Sequence, residues 1–341
     1  MRMRIWILVV MMLFSMLTSG AQAQDTRQLG LNTTLRHVEE EIKYVQPLGI
    51  RTLRVPLQWQ LVKIRPGEYD WSTIDRIIKT AQERQIGILF NIRTIFWEES
   101  KKPSRQRGVT KVKSSLVDKE EWLRFAGALA SRYQGRGIKY EIENEVNEGT
   151  SWKGTLEDYL DLLKGGYDVM KKADPKATVL PAAMNCGMTQ ALSLGGDRSA
   201  AWKWHDNWLQ PILSTKKFDV VNVHNYYFPS GIEANGLTFR SYLEHIRELM
   251  KRAGCADLPL WITETGYVSS PKETGGRLDH SSFDKQAQWL KEAYQQAFEF
   301  GVERVYWLLL RDRREPYFGS MGLADAKGNP RPSWDALIQF K

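Results

Sequence analysis

Short runs rich in Val, Ile and Leu recur along the chain, and stretches with helical periodicity lie between them. Buried strands alternating with amphipathic helices are the pattern of βα units on a parallel sheet. The runs are Gln28–Asn32, Thr52–Leu57, Ile86–Ile92, Ile138–Glu143, Thr178–Ala183, Val220–His224, Leu260–Glu264 and Val305–Leu310. Helices are expected between them, at Thr73–Gln85, Lys119–Tyr133, Leu156–Ala173, Phe239–Ala253 and Phe283–Phe300 among others. In the first of these, Ile74, Ile77, Ile78 and Ala81 recur at i, i+3, i+4 and i+7, which gives one buried face. The strands are nearly continuous apolar runs, as expected when both faces are covered. Eight βα units close into a (β/α)8 TIM barrel more naturally than they lie open. A doubly wound sheet would want a Gly-rich nucleotide turn after its first strand. Here that strand ends Gly30-Leu31-Asn32-Thr33-Thr34, and neither G-x-G-x-x-G nor a P-loop follows.

The first residues read as a leader. Met1-Arg2-Met3-Arg4 is basic, Ile5 to Leu17 is apolar but short for a membrane span, and Ala21-Gln22-Ala23 is a small-residue cleavage site. Residues 1–23 are expected to be a signal peptide and 24–341 a single barrel domain. The chain would then be exported, to the periplasm or outside the cell, without stable membrane insertion. An exported chain with two cysteines invites a disulfide. The barrel places Cys186 after strand 5 and Cys255 before strand 7, at opposite faces, so two free thiols are expected. The formal net charge of +8 fits an acidic partner or a solvated basic surface equally well.

Two of the strands run into glutamate: Tyr140-Glu141-Ile142-Glu143-Asn144-Glu145 and Pro259-Leu260-Trp261-Ile262-Thr263-Glu264. Parallel barrel strands deliver their last residues to one face, so Glu145 and Glu264 are expected to flank a common site. Paired carboxylates flanking a bond are the equipment of most glycosidases. Plainer readings exist for each, an exposed acid opening a loop for Glu145 and a salt bridge with Arg54 for Glu264. Glu141, Glu143 and Glu148 lie nearby, and Glu143 is expected to point away from Glu145. Metal-dependent hydrolysis wants several His and Asp ligands at strand ends, often as H-x-H. The chain has five histidines and reads His224-Asn225-Tyr226, so no metal and no cofactor is expected.

The landmarks taken together resemble a known family. Gly30-Leu31-Asn32 ends strand 1, and Arg54 lies on strand 2 in Leu53-Arg54-Val55-Pro56. Asn144-Glu145 ends strand 4, His224-Asn225-Tyr226 ends strand 6, Glu264 ends strand 7, and Trp307 lies on strand 8. In this order they resemble the clan A glycoside hydrolases over essentially the whole mature chain. Pro66-Gly67-Glu68-Tyr69-Asp70-Trp71 is similar to a segment of families 39 and 5 of that clan. Family 5 enzymes usually carry a histidine at the end of strand 3. Here Leu89-Phe90-Asn91-Ile92-Arg93 stands in its place, which moves the resemblance towards family 39 or an undescribed relative.

The resemblance implies Glu145 as general acid/base and Glu264 as nucleophile. It also implies that Arg54 pairs with the nucleophile and that Asn144 binds the sugar 2-hydroxyl. The acid/base must carry a proton, so its site should raise its pKa, whereas a cation beside the nucleophile should lower that one. Tyr226 is expected to hydrogen-bond the nucleophile. His224 either contacts sugar hydroxyls or is a satisfied buried histidine. Trp307 would floor the sugar site. Trp59, Trp97, Trp152, Trp202, Trp204 and Trp208 would line a long cleft, although any single one could simply be packed under a loop.

Lys101, Lys102, Arg105, Arg107, Lys111 and Lys113 follow strand 3, and Arg311, Arg313 and Arg314 follow strand 8. They fit either an anionic polysaccharide or a solvated loop. Nucleic acid fits poorly, because the two glutamates would repel its phosphates. The expectation is an exported, monomeric, metal-independent retaining glycosidase that cleaves a β-linked polysaccharide within the chain. The alternatives are an exo-acting β-glycosidase, such as a β-xylosidase, and a glycan-binding barrel that has lost catalysis. The intact glutamate pair argues against the last.

Overall fold

The computed structural model describes residues 27–94, 119–149, 151–186, 197–226, 236–269, 283–313 and 319–341. The expected signal peptide, Trp97, the basic segment after strand 3 and Arg314 lie outside the described residues.

Eight parallel strands form the barrel: β1 (Gln28–Asn32), β2 (Ile50–Gln58), β3 (Gly87–Arg93), β4 (Lys139–Ile142), β5 (Thr178–Leu180), β6 (Val221–His224), β7 (Leu260–Thr265) and β8 (Val302–Trp307). Their order is β5-β4-β3-β2-β1-β8-β7-β6. The ring closes between β5 and β6 through a parallel bridge of Met184 with Val223, and the His224 amide donates to the Met184 carbonyl at 3.2 Å. A helix follows each strand: α1 (Val38–Val45), α2 (Ser72–Glu83), α3 (Lys119–Arg132), α4 (Leu156–Ala173), α5 (Arg198–Thr215), α6 (Phe239–Arg252), α7 (Phe283–Glu299) and α8 (Pro332–Ile338). This is a (β/α)8 TIM barrel. The periodic face foreseen in α2 is the buried one, Ile74, Ile77, Ile78 and Ala81. Among the described residues no helix is long and apolar enough to cross a membrane. Cys186 and Cys255 are both buried, and no disulfide joins them.

Three strands stop short of their expected ends, each for a local reason. β4 stops at Ile142 because Glu143 turns to φ +69°, out of the extended region. β5 stops before Pro181, which has no N–H for a ladder. β8 ends at Trp307, and Leu309–Arg311 pairs instead with Gly322–Ala324 in a separate two-stranded ribbon.

Alternation along the strands sorts two cores. Outward residues such as Leu53, Val55, Phe90, Ile142, Val223 and Ile262 pack in the layer that also holds the buried faces of the helices. A second, smaller cluster of Leu89, Leu180, Val220, Trp261 and Tyr306 fills the barrel interior. Gly30 is part of that interior packing. A Cβ at Gly30 would stand 2.4 Å from Cδ1 of Tyr306, and the ring is tethered by a 3.0 Å hydrogen bond between its hydroxyl and Thr52. Gly30→Ala should therefore overpack the lumen and cost about 1–3 kcal/mol, read as a lower urea midpoint. An unchanged midpoint would show that the ring can move aside.

Candidate active site

Above the apolar plug the lumen turns polar. Asn32, Arg54, Asn91, Glu141, Asn222 and Thr263 are buried there, and they bond across strands that are not neighbours in the sheet. Arg54 is the hub. Its Nε donates to Glu141 (2.5 Å), Nη1 to Asn32 (2.9 Å) and to Glu264 (2.6 Å), and Nη2 to Asn144 (2.6 Å). Glu141 also accepts from Asn222 at 2.8 Å. Asn32 is fixed in turn by donating to the carbonyls of Thr263 and Trp307. Burial works against the Arg54 charge, but the carboxylates of Glu141 and Glu264 outweigh it and hold the guanidinium protonated.

Glu264 projects from β7 where the pairing with β6 shifts register, opposite His224. Its Oε1 takes the Arg54 bond, and its Oε2 accepts from the Tyr226 hydroxyl at 2.7 Å. Burial alone would raise its pKa. The charges of His224 and Arg54, the Tyr226 bond and the charge of Arg93 draw it well below the usual carboxylate range. Tyr226 is shifted the other way, by burial first and then by the Glu264 and Glu145 charges, so it keeps its proton and remains a donor.

Glu145 has a different setting. It follows a turn in which two non-glycine residues, Glu143 (φ +69°) and Glu145 (φ +42°), adopt left-handed backbone. Such conformations cost about 1–2 kcal/mol each. Amide bonds of Glu143 to the Ile92 carbonyl and of Glu145 to the Ala183 carbonyl, both 2.9 Å, hold the turn in place. The Glu145 carboxylate meets His224 Nδ1 at 2.7 Å and the Asn185 amide at 3.4 Å. Glu143 diverges because the left-handed backbone at both residues breaks the alternation that would put residues two apart on one side, and it accepts from the Thr94 amide at 2.5 Å. Burial nevertheless pushes Glu143 up to about 7. Glu148 rises to about 7 as well, through burial and then the Glu145 charge.

His224, fully buried, stands between the two carboxylates. Its Nδ1 lies 2.7 Å from Glu145 and 3.5 Å from Glu264. One donor atom from each of the three side chains falls within 4.8 Å of the others, a grouping that could also face a cation. Arg54 and Tyr226 already engage both oxygens of Glu264. A second such group, His205, Asp206 and His245, joins α5 to α6 outside the barrel, and Tyr242 bonds His205 there at 2.9 Å.

The aromatic expectations are corrected. Trp59 is buried against Phe125 of α3, with Lys63 over its ring. Trp307 is fully buried. It packs on Trp289 of α7 and donates its indole N–H to the Met321 carbonyl, so no ring face is open to a sugar. Alternation explains this, since Trp307 shares a strand side with the outward Val305 while Tyr306 points inward. Trp152 is buried against Tyr159, and Trp202, Trp204 and Trp208 sit on α5, where Trp202 stacks on His245. The charge after strand 8 is likewise committed, with Arg311 paired to Glu40 at 2.6 Å and Arg313 to Glu41 at 3.5 Å.

Glu141, Asn32, Asn91 and Asn222 were not singled out as site residues by their sequence. The signal was present: each is a polar residue inside an apolar strand, in phase with the inward set.

Residues 167–336, from α4 to α8, match the family model for the glycosyl hydrolase catalytic core. The matched stretch includes His224, Tyr226 and Glu264. Among solved structures, the fold is similar to a family 39 glycoside hydrolase from Bacteroides cellulosilyticus WH2 (20% identity, TM-score 0.64), covering 92% of this chain and 64% of that one. A GH39 enzyme from Xanthomonas axonopodis pv. citri is similar at 19% identity and TM-score 0.64, covering 92% of this chain and 66% of that one. GH5_18 from Streptomyces cattleya, solved with GlcNAc, is similar at 17% identity and TM-score 0.64, covering 92% and 79%. The chain thus spans just under two thirds of the length of the two family 39 enzymes. No curated protein matches it. Residues 167–336 thus resemble a glycosyl hydrolase catalytic core, and the barrel has the fold that these solved enzymes share.

The hub makes a stability prediction. Arg54→Met would strand Glu141, which is fully buried, without its cation. The expected loss is about 3–5 kcal/mol in urea unfolding. Adding Glu141→Leu should recover much of it. If the single variant unfolds like wild type, Arg54 is not what keeps the lumen charged.

Proposed function

We propose that the barrel is a retaining glycosidase in which Glu264 is the nucleophile and Glu145 the acid/base. The observation that carries this is the closeness and inequality of the two carboxylates. One oxygen from each lies within 4.8 Å of the other, across His224. Retaining enzymes hold their carboxyl groups about 5–5.5 Å apart, whereas inverting ones leave about 6.5–9.5 Å for a water. Glu264 is kept anionic by Arg54 and Tyr226, which suits a nucleophile. Glu145 has no arginine partner among the described residues and meets a histidine, which suits a group that gives and retakes a proton.

In the first step Glu264 attacks the anomeric carbon while Glu145 gives its proton to the departing glycosidic oxygen. In the second, Glu145 takes a proton from water, and that water displaces Glu264. Two inversions leave the configuration unchanged. Asn144 presents its Oδ1 to Arg54, so its amide nitrogen is left to donate to the sugar. Arg54 and Tyr226 hold the nucleophile, and His224 holds both carboxylates.

The substrate we propose is a β-linked oligo- or polysaccharide cleaved within the chain, outside the cytoplasm if residues 1–23 act as a signal. The exo-acting alternative uses the same chemistry, and the sizes of early products separate the two.

Glu145→Gln and Glu264→Gln should each lower kcat on an activated aryl β-glycoside by about 10³-fold or more while the fold is kept. Azide should restore turnover to Glu264→Ala with an inverted glycosyl azide as product. Retained activity in either glutamine variant would overturn the assignment. Glycan binding without turnover by wild type would point to a barrel that has lost catalysis.

A further inference from the structure

Two arginines stand on inward positions near the barrel mouth, and they differ in what holds them. Arg54 engages all three nitrogens with protein acceptors. Arg93 ends β3, two residues past Asn91, so both lie on the same side of the strand. Asn91 is fully buried and donates to the Glu143 carbonyl at 2.6 Å. Its Oδ1 accepts from Arg93 Nε, also at 2.6 Å, which fixes the base of the guanidinium. The two Nη groups of Arg93 make no hydrogen bond or ion pair with any described residue.

The setting does not explain a free cation. Burial, and then the neighbouring Arg54 charge, disfavour the Arg93 cation, while Glu264, Glu143 and Glu141 favour it. None of these carboxylates is bonded to it. Both oxygens of Glu264 are already engaged, and Glu141 belongs to Arg54. Four N–H bonds of a half-buried arginine, on the inward side at the end of β3, are left without an acceptor among the described residues. A planar fork with a fixed base matches the two oxygens of a carboxylate, which it can bind in a bidentate way.

We propose that Arg93 selects an anionic sugar, taking the carboxylate of a uronic acid on its two Nη groups in the subsite beside Glu264. This rests on the glycosidase reading above. It shifts the case for an acidic substrate away from the basic residues after strand 8, since Arg311 and Arg313 are paired with α1.

The test uses substrate pairs that differ only in the carboxylate: 4-nitrophenyl β-glucuronide against the β-glucoside, and β-1,4-polymannuronate against β-1,4-mannan. Wild type should prefer the acidic member of whichever pair it cleaves. Arg93→Gln should reduce the acidic-to-neutral ratio of kcat/KM about 100-fold, mainly through KM, as expected for a lost charge-assisted pair. Arg93→Lys should keep part of the preference, and it serves as the variant if the glutamine form melts early. Preference of wild type for the neutral member, or equal losses on both members in Arg93→Gln, would overturn the proposal while leaving the glycosidase intact. No turnover of any substrate by wild type would remove the glycosidase reading and this one with it.

Discussion

A guanidinium sealed inside a barrel must be answered by acceptors on every side, and Arg54 is answered from three strands and the turn that follows one of them. Asn32 on β1, Glu141 on β4, Asn144 beyond β4 and Glu264 on β7 all converge on it. Each bond is short, and the central groups are closed to water. In such surroundings a missing partner costs far more than a bond is worth, because the remaining charge cannot be solvated. The position of the Glu264 carboxylate is therefore tied to the integrity of the lumen. Glu264 is anionic because the fold needs an anion there, and the proposed mechanism uses the charge that results.

The second carboxylate is held by backbone rather than by charge. Left-handed conformations at Glu143 and Glu145 aim Glu145 at His224 and Glu143 at Thr94. This is local strain, sustained by the bonds to Ile92 and Ala183 on the flanking segments. Two carboxylates close in space thus acquire different partners, an arginine and a tyrosine for one and a histidine for the other. In the proposed mechanism that difference separates an acid/base from a nucleophile.

The barrel was legible in the sequence because its signal is repeated. Eight apolar runs and the helical face of Ile74, Ile77, Ile78 and Ala81 all say the same thing. Glu145, Glu264 and Arg54 were legible because a strand end in a parallel barrel has one destination. Side-chain direction was less legible. The places of Trp307 and Trp59 on or after strand ends suggest sugar platforms, but a shift of one residue in phase turns a ring from lumen to helix layer. The polar layer of Asn32, Asn91, Glu141 and Asn222 could have been read by carrying the inward phase down each strand. Arg93 looked like a mere departure from a familiar histidine. Its meaning depends on which of its nitrogens are engaged, and that is visible only when Asn91 and Glu264 are seen with their partners.

The central claim is that Glu264 forms the bond to the sugar. A 2-deoxy-2-fluoro analogue of an activated β-glycoside that the protein turns over slows release of the covalent intermediate, and peptide mass spectrometry locates the label. The account predicts a glycosyl adduct on the peptide holding Glu264, with Glu264 as the modified residue. Label on Glu145 or Glu141, or turnover that inverts the anomeric configuration with no adduct at all, would contradict it.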